Sequence, residues 1–148
     1  MRISSKGRYG LAAMVSMAQE FESDSCVTIL SLSEKLGISK IYLEQVFSLL
    51  KHAGLVFALK GAQGGYKLSR PPQDISVFAI LRALEQSLFE KTEESVKEKA
   101  ESIERAMQAA VFEPVDTAVR NCLEKVSLYD LVLEEEKHRQ NGGFMFYI

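Results

Sequence analysis

The run Ser39-Lys40-Ile41-Tyr42-Leu43-Glu44-Gln45-Val46-Phe47-Ser48-Leu49-Leu50-Lys51-His52-Ala53-Gly54 leads straight into Leu55-Val56-Phe57-Ala58-Leu59-Lys60-Gly61-Ala62-Gln63-Gly64-Gly65-Tyr66-Lys67-Leu68-Ser69. Leu43, Val46, Phe47 and Leu50 recur at helical spacing and make one apolar stripe. Ser39 stands where an N-cap belongs and Gly54 just past the last turn, so a helix is predicted between them. Lys40, Glu44, Ser48 and Lys51 then share the opposite face. Beyond Gly54, Leu55 to Lys60 and Tyr66 to Ser69 read as short strands around a turn with three glycines. Such a backbone reaches positive φ and approaches another backbone closely, which suits a phosphate chain. Upstream, Ser31-Leu32-Ser33-Glu34 has the form of a capping box opening a short helix that Gly37 stops. Only Gly37 and Ile38 separate it from the next cap, and helices joined so tightly cross steeply. The expected fold is mainly α with a small β-wing (α+β), a winged helix-turn-helix head.

The chain has 148 residues and a net charge of −2, which argues superficially against nucleic acid. The charge is divided, however. Residues 1–70 carry nine Lys/Arg and five Asp/Glu, a net of +4, and the remainder carries nine and fifteen, a net of −6. A basic head on an acidic body meets DNA at one end only. Arg2, Lys6 and Arg8 before an apolar run superficially resemble a secretory signal, but Leu11, Met14, Val15 and Ala18 keep the spacing of a core helix. No stretch is long enough to span a membrane. The two cysteines, Cys26 and Cys122, make no disulfide framework, and a cytoplasmic location is expected.

Arg70-Pro71-Pro72-Gln73-Asp74 closes the wing, and Ser76 caps a helix whose Val77, Ile80, Leu81 and Leu84 can pack back on the head. The charged stretch from Glu90 to Arg105 reads as a solvated helix with a thin seam of Val96, Ala100, Ile103, Met107 and Ala110. From Val115 to Val126, the residues Val115, Ala118, Val119, Cys122, Leu123 and Val126 form a wide apolar face beyond what the head needs, suited to a partner helix. Ser127 has the form of another cap, opening a last helix through about Lys137. Gly142-Gly143 reads as a hinge before Phe144, Met145, Phe146, Tyr147 and Ile148, whose side chains and terminal carboxylate suit capture in a pocket. The predicted divisions are a DNA-binding domain over 1–86, a charged linker with dimerisation helices over 87–137, and a flexible tail over 138–148.

Met1-Arg2-Ile3-Ser4-Ser5-Lys6-Gly7-Arg8-Tyr9-Gly10-Leu11, Tyr42-Leu43-Glu44-Gln45, Ala53-Gly54-Leu55-Val56 and Lys60-Gly61-Ala62-Gln63-Gly64-Gly65-Tyr66 resemble the signature of the bacterial Rrf2 family, which includes the iron–sulfur cluster regulator and the cysteine metabolism repressor. The resemblance implies a winged-helix homodimer with a long dimerisation helix, a repressor bound to a near-palindromic operator in double-stranded DNA. On that reading Ser4, Ser5, Lys6, Arg8 and Tyr9 open the first helix, where free N–H groups and cations suit phosphate. Gly7 among them hints at close backbone approach. Ser39, Lys40, Tyr42, Glu44 and Gln45 occupy the half of the recognition helix that enters the major groove, with Gln45 suited to adenine and Glu44 to a cytosine amino group. Lys60, Gln63, Gly64 and Gly65 form the wing tip, suited to the minor groove or its phosphates.

Cluster-binding members of the family carry three cysteines in the segment that runs here from about Ser87 to Val111, and this chain has none there. No metal or cofactor is expected, which places the chain nearer the cysteine metabolism repressors. Cys122 reads as core, and Cys26, in a polar loop with no adjacent cation, as a candidate redox-sensitive thiol. Resemblance to those repressors extends to the tail and implies O-acetylserine sulfhydrylase as a receptor for it. The alternative function is an adaptor acting through that tail on a cysteine-synthesis enzyme. Enzymatic activity is not expected: there is no paired nucleophile and base, and the glycine-rich loop joins two strands instead of opening a helix.

Overall fold

A computed structural model describes the backbone of residues 2–145 and the side chains of residues 2–142. Helix α1 (Ser5–Gln19) is followed by α2 (Ile29–Leu36), α3 (Lys40–His52), an antiparallel hairpin of β1 (Val56–Leu59) and β2 (Gly65–Leu68), and α4 (Val77–Leu84). In α3 the predicted stripe is the buried face: Leu43, Val46, Phe47 and Leu50 are all enclosed, and Ser39 Oγ accepts the Tyr42 N–H at 3.2 Å. Helix α2 begins one turn earlier than the capping-box pattern predicts. Thr28 has the extended backbone of an N-cap and its Oγ1 accepts the Ser31 N–H at 3.0 Å, leaving Ser31 inside the helix. Gly37 ends it in the left-handed conformation.

The hairpin pairs Val56 with Leu68 and Leu59 with Gly65, and Val27 adds a bridge to Tyr66 through reciprocal hydrogen bonds of 2.9 and 2.8 Å. Two of the wing glycines, Gly64 and Gly65, are required by close approach to the protein's own backbone. A Cβ on Gly64 would strike the Leu59 carbonyl, and one on Gly65 would lie 2.7 Å from the Val27 carbonyl. Phe47 stacks obliquely on Tyr66 with centroids 4.7 Å apart, so α3 and the hairpin share one aromatic contact.

The charged stretch departs from the expected helix. Residues 90–100 form no helix; they fold over the start of α5 (Glu101–Met107), where the buried Glu104 carboxylate accepts the Ser95 and Val96 N–H groups, each at 2.9 Å. These hydrogen bonds offer the loop a local alternative to the helical ladder. A π-turn over Gln108–Phe112 joins α5 to α6 (Glu113–Glu124), and Glu113 N–H reaches back to Gln108. Pro114, which has no N–H to give, follows at once, and the wider turn accommodates it. The chain then returns to the head. Val77 N–H bonds Val126 O and Leu128 N–H bonds Ile75 O, both at 2.8 Å, and α7 (Leu128–Met145) inserts Leu128 and Val132 into the head's core. The last helix thus belongs with residues 2–89, and the intervening residues 90–126 form an arm whose helix α6 packs beside α4, with the Arg120 guanidinium 4.9 Å from the centroid of the Phe78 ring. Helix α7 continues through Gly142 and Gly143, so no hinge forms there.

Candidate nucleic-acid interface

On α3, Lys40, Glu44, Gln45 and Ser48 are exposed along the face opposite the core stripe. Together with Ile41 and Leu49 and with Lys6 of α1, Glu44, Gln45 and Ser48 line a shallow surface groove. Ile41 is the residue that helical periodicity overlooked. At 73% exposed it is the most exposed of the large apolar side chains on the described surface, and it lies in the first turn of α3 among polar neighbours. Its apolar surface suits a thymine methyl group. The signal was there in the sequence as a β-branched residue off the apolar stripe. Glu44 takes part in no ion pair among the described residues, which leaves its carboxylate available to a base donor.

Tyr9 and Tyr42, both read from sequence as DNA contacts, meet edge to face with centroids 5.2 Å apart. They brace α1 against α3. The start of α1 is less open than expected: Ser4 Oγ accepts the Gly7 N–H at 3.3 Å, Glu85 Oε1 accepts the Ser4 N–H at 2.6 Å, and Arg8 donates to Ser5 Oγ at 3.1 Å. Gly7 is small because Glu85 lies against it, which replaces the expected close approach to DNA. Lys60, Ala62 and Gln63 are exposed at the wing tip, while Gly64 and Gly65 are half-buried beneath it.

At the base of the wing Lys67 Nζ lies 2.8 Å from Asp24 Oδ1. That hydrogen bond, with the charge of the ammonium, holds the Asp24 carboxyl below its ordinary range; the same bond raises Lys67, with a smaller contribution from Cys26. Cys26 is half-buried beside Gly65 and has in Lys67 a cationic neighbour that sequence adjacency does not reveal.

Along the arm, Ile103 and Val115 are 58% and 54% exposed, and Ala118 and Cys122 are exposed as well. Cys122 is therefore surface, not core. Val119 is half-buried, and Val126 lies beyond α6 at the junction with the head, off the free face. Among the described residues no three His, Cys, Asp or Glu side chains converge as a metal site. With Cys26 at the wing and Cys122 on the arm, the chain's only cysteines do not make the thiolate set that an iron–sulfur cluster needs. Phe146, Tyr147 and Ile148 of the expected docking tail lie outside the described residues. No helix among the described residues is long and apolar enough to cross a membrane.

Residues 3–134 match the Rrf2 family model, described as an iron-dependent transcriptional regulator. The chain is similar to the HTH-type transcriptional regulator IscR of Aliivibrio salmonicida, at 33% identity over 92% of this chain and 80% of that protein. Among solved structures it is similar to T. potens IscR, with 37% identity, a TM-score of 0.74, and coverage of 99% of this chain and 97% of the other. It is also similar to CymR of B. subtilis, with 33% identity, a TM-score of 0.70, and coverage of 90% and 98%.

Proposed function

The chain belongs to the Rrf2 family of winged-helix transcriptional regulators, and we propose that within it this protein is a homodimeric repressor of sulfur or cysteine metabolism genes that reads a near-palindromic operator. Helix α3 enters the major groove with Ile41, Glu44 and Gln45 toward base edges, supported by Ser39, Lys40 and Tyr42. Ser4, Ser5, Lys6, Arg8 and Tyr9 follow one phosphate strand, and the wing with Lys60, Gln63, Gly64 and Gly65 the other. Two copies join through the face of Ile103, Val115, Ala118, Val119 and Cys122.

The observation that carries the DNA reading is the convergence of Lys6 with the exposed face of α3 in one groove. Support for the dimer is the exposure of Ile103, Val115, Ala118 and Cys122 along the arm. Support for the sulfur-metabolism branch is the absence of a cluster ligand set, together with the similarity to CymR, which is described as the global cysteine regulator of B. subtilis. Selection of bound DNA from random duplexes tests the whole reading. The expected motif has dyad symmetry with half-sites roughly 34 Å apart, one helical turn. Recovery of an asymmetric motif, or no enrichment, refutes it.

A further inference from the structure

The first turn of α1 is held from outside its own helix. Glu85 directly follows α4 and is 8% exposed; its Oε1 receives the Ser4 N–H at 2.6 Å, and Ser4 Oγ in turn receives the Gly7 N–H. Gly7 leaves the space that the carboxyl fills, since a Cβ there would collide with it and come within 2.8 Å of Ile3 Cγ2. Glu85 is itself fixed through its backbone: its N–H bonds Leu81 O at 2.7 Å and its carbonyl accepts from Leu88 N–H at 3.1 Å. A carboxylate at a helix N-terminus is favoured by the helix dipole, and a charged acceptor strengthens the hydrogen bond. An anion so close to a surface meant for phosphate would otherwise oppose binding.

We propose that Glu85 is a positioning residue for DNA-backbone binding. It touches no DNA; it fixes Ser4 and so presents Lys6 and Arg8 to the phosphates in one geometry. This rests on the DNA-binding reading above and adds to it a link between the end of α4 and the DNA surface.

The test is the salt dependence of binding to a fluorescent duplex of mixed sequence, with active protein concentration fixed by stoichiometric titration. Loss of folded protein then alters the amplitude and not the slope. Glu85→Ala should flatten the log–log salt slope by roughly 2 to 4, as Lys6 and Arg8 lose their phosphates in both protomers, and so weaken binding at least about tenfold near roughly 0.3 M salt and more below it. Glu85→Gln keeps an acceptor for the Ser4 N–H and should restore the slope. Gly7→Ala, which displaces the carboxyl, should reproduce the flat slope of Glu85→Ala. A wild-type slope in Glu85→Ala overturns the proposal, as does a Glu85→Gln variant no better than Glu85→Ala, because charge alone would then be responsible. If the unmodified chain forms no complex with DNA, the DNA reading fails and this proposal with it; an intact wild-type complex with an unchanged Glu85→Ala slope overturns the positioning role alone.

Discussion

Replacing Lys60 with alanine isolates the wing. Lys60 follows β1 at the exposed tip and forms no ion pair among the described residues, so its removal changes charge and little else. Surface changes of this kind stay within about 0.5 kcal/mol in stability. Lys6, Arg8, Lys40 and Lys60 give a dimer about eight cations for the backbone, and at about 0.9 per phosphate the salt slope is roughly −7. Losing Lys60 from both protomers leaves about six and a slope of roughly −5.4. The two lines converge as salt rises: a fourfold increase narrows the wild-type advantage about twelvefold. Fluorescence anisotropy titrations across a salt series, with a duplex carrying the selected operator, measure both slopes. Parallel lines would show that Lys60 meets no phosphate and would refute the placement of the wing.

Val115→Glu puts two carboxylates into the proposed dimer face and should raise the dimer dissociation constant at least about a hundredfold; an unchanged sedimentation profile at micromolar concentration would show that the face lies elsewhere. Glu44→Ala should relax preference at one base pair by about 1–3 kcal/mol while leaving the salt slope intact. An unchanged selected motif would remove Glu44 from the base readers. For Glu104, the backbone N–H of Val96 first, then the Gln108 side chain and the Ser95 N–H, hold the carboxyl below its ordinary value against the opposing effect of burial. Its folded pKa lies below the unfolded one, so its contribution is complete above the unfolded value and is lost as pH falls through the folded value. Hydrogen exchange of residues 90–100, corrected for intrinsic rates, should therefore accelerate in acid in the wild type more than in Glu104→Gln. Equal acceleration in both would refute the role of the carboxylate.

The head was legible in the sequence because its signals are local. Leu43, Val46, Phe47 and Leu50 on α3, and Val77, Ile80, Leu81 and Leu84 on α4, are the residues that the structure buries. What escaped depends on partners distant in the chain. Glu104 draws Ser95 and Val96 out of a helix that their charge pattern permits, and Ile75 and Val77 pair with the segment around Val126 that composition assigned to the arm. The wing and first-helix glycines show the same limit from another side: their presence signals a close neighbour, while the identity of that neighbour, Leu59, Val27 or Glu85, is a matter of tertiary structure. In α2 the Ser31 capping-box pattern pointed one helical turn too late, because the backbone places Thr28 and not Ser31 at the N-cap. Ile41 went unnoticed because an apolar residue off the stripe carries no periodic signal.

The return of α7 to α1 also determines how the arm can move. Its outgoing strand leaves beside Glu85, and its incoming strand is clamped by the Val126 and Leu128 backbone bonds to residues 75–77, with Gln19 gripping Glu135 at 2.8 Å further along. Between these two mounts α6 also lies against α4, with Arg120 over the Phe78 ring, so the arm is held along its length as well as at its ends. A partner seated on the arm would therefore drive both mounts at once, one reaching the first turn of α1 and the other its far end, so that the helix bearing Lys6 and Arg8 is steered like a rod held at both tips.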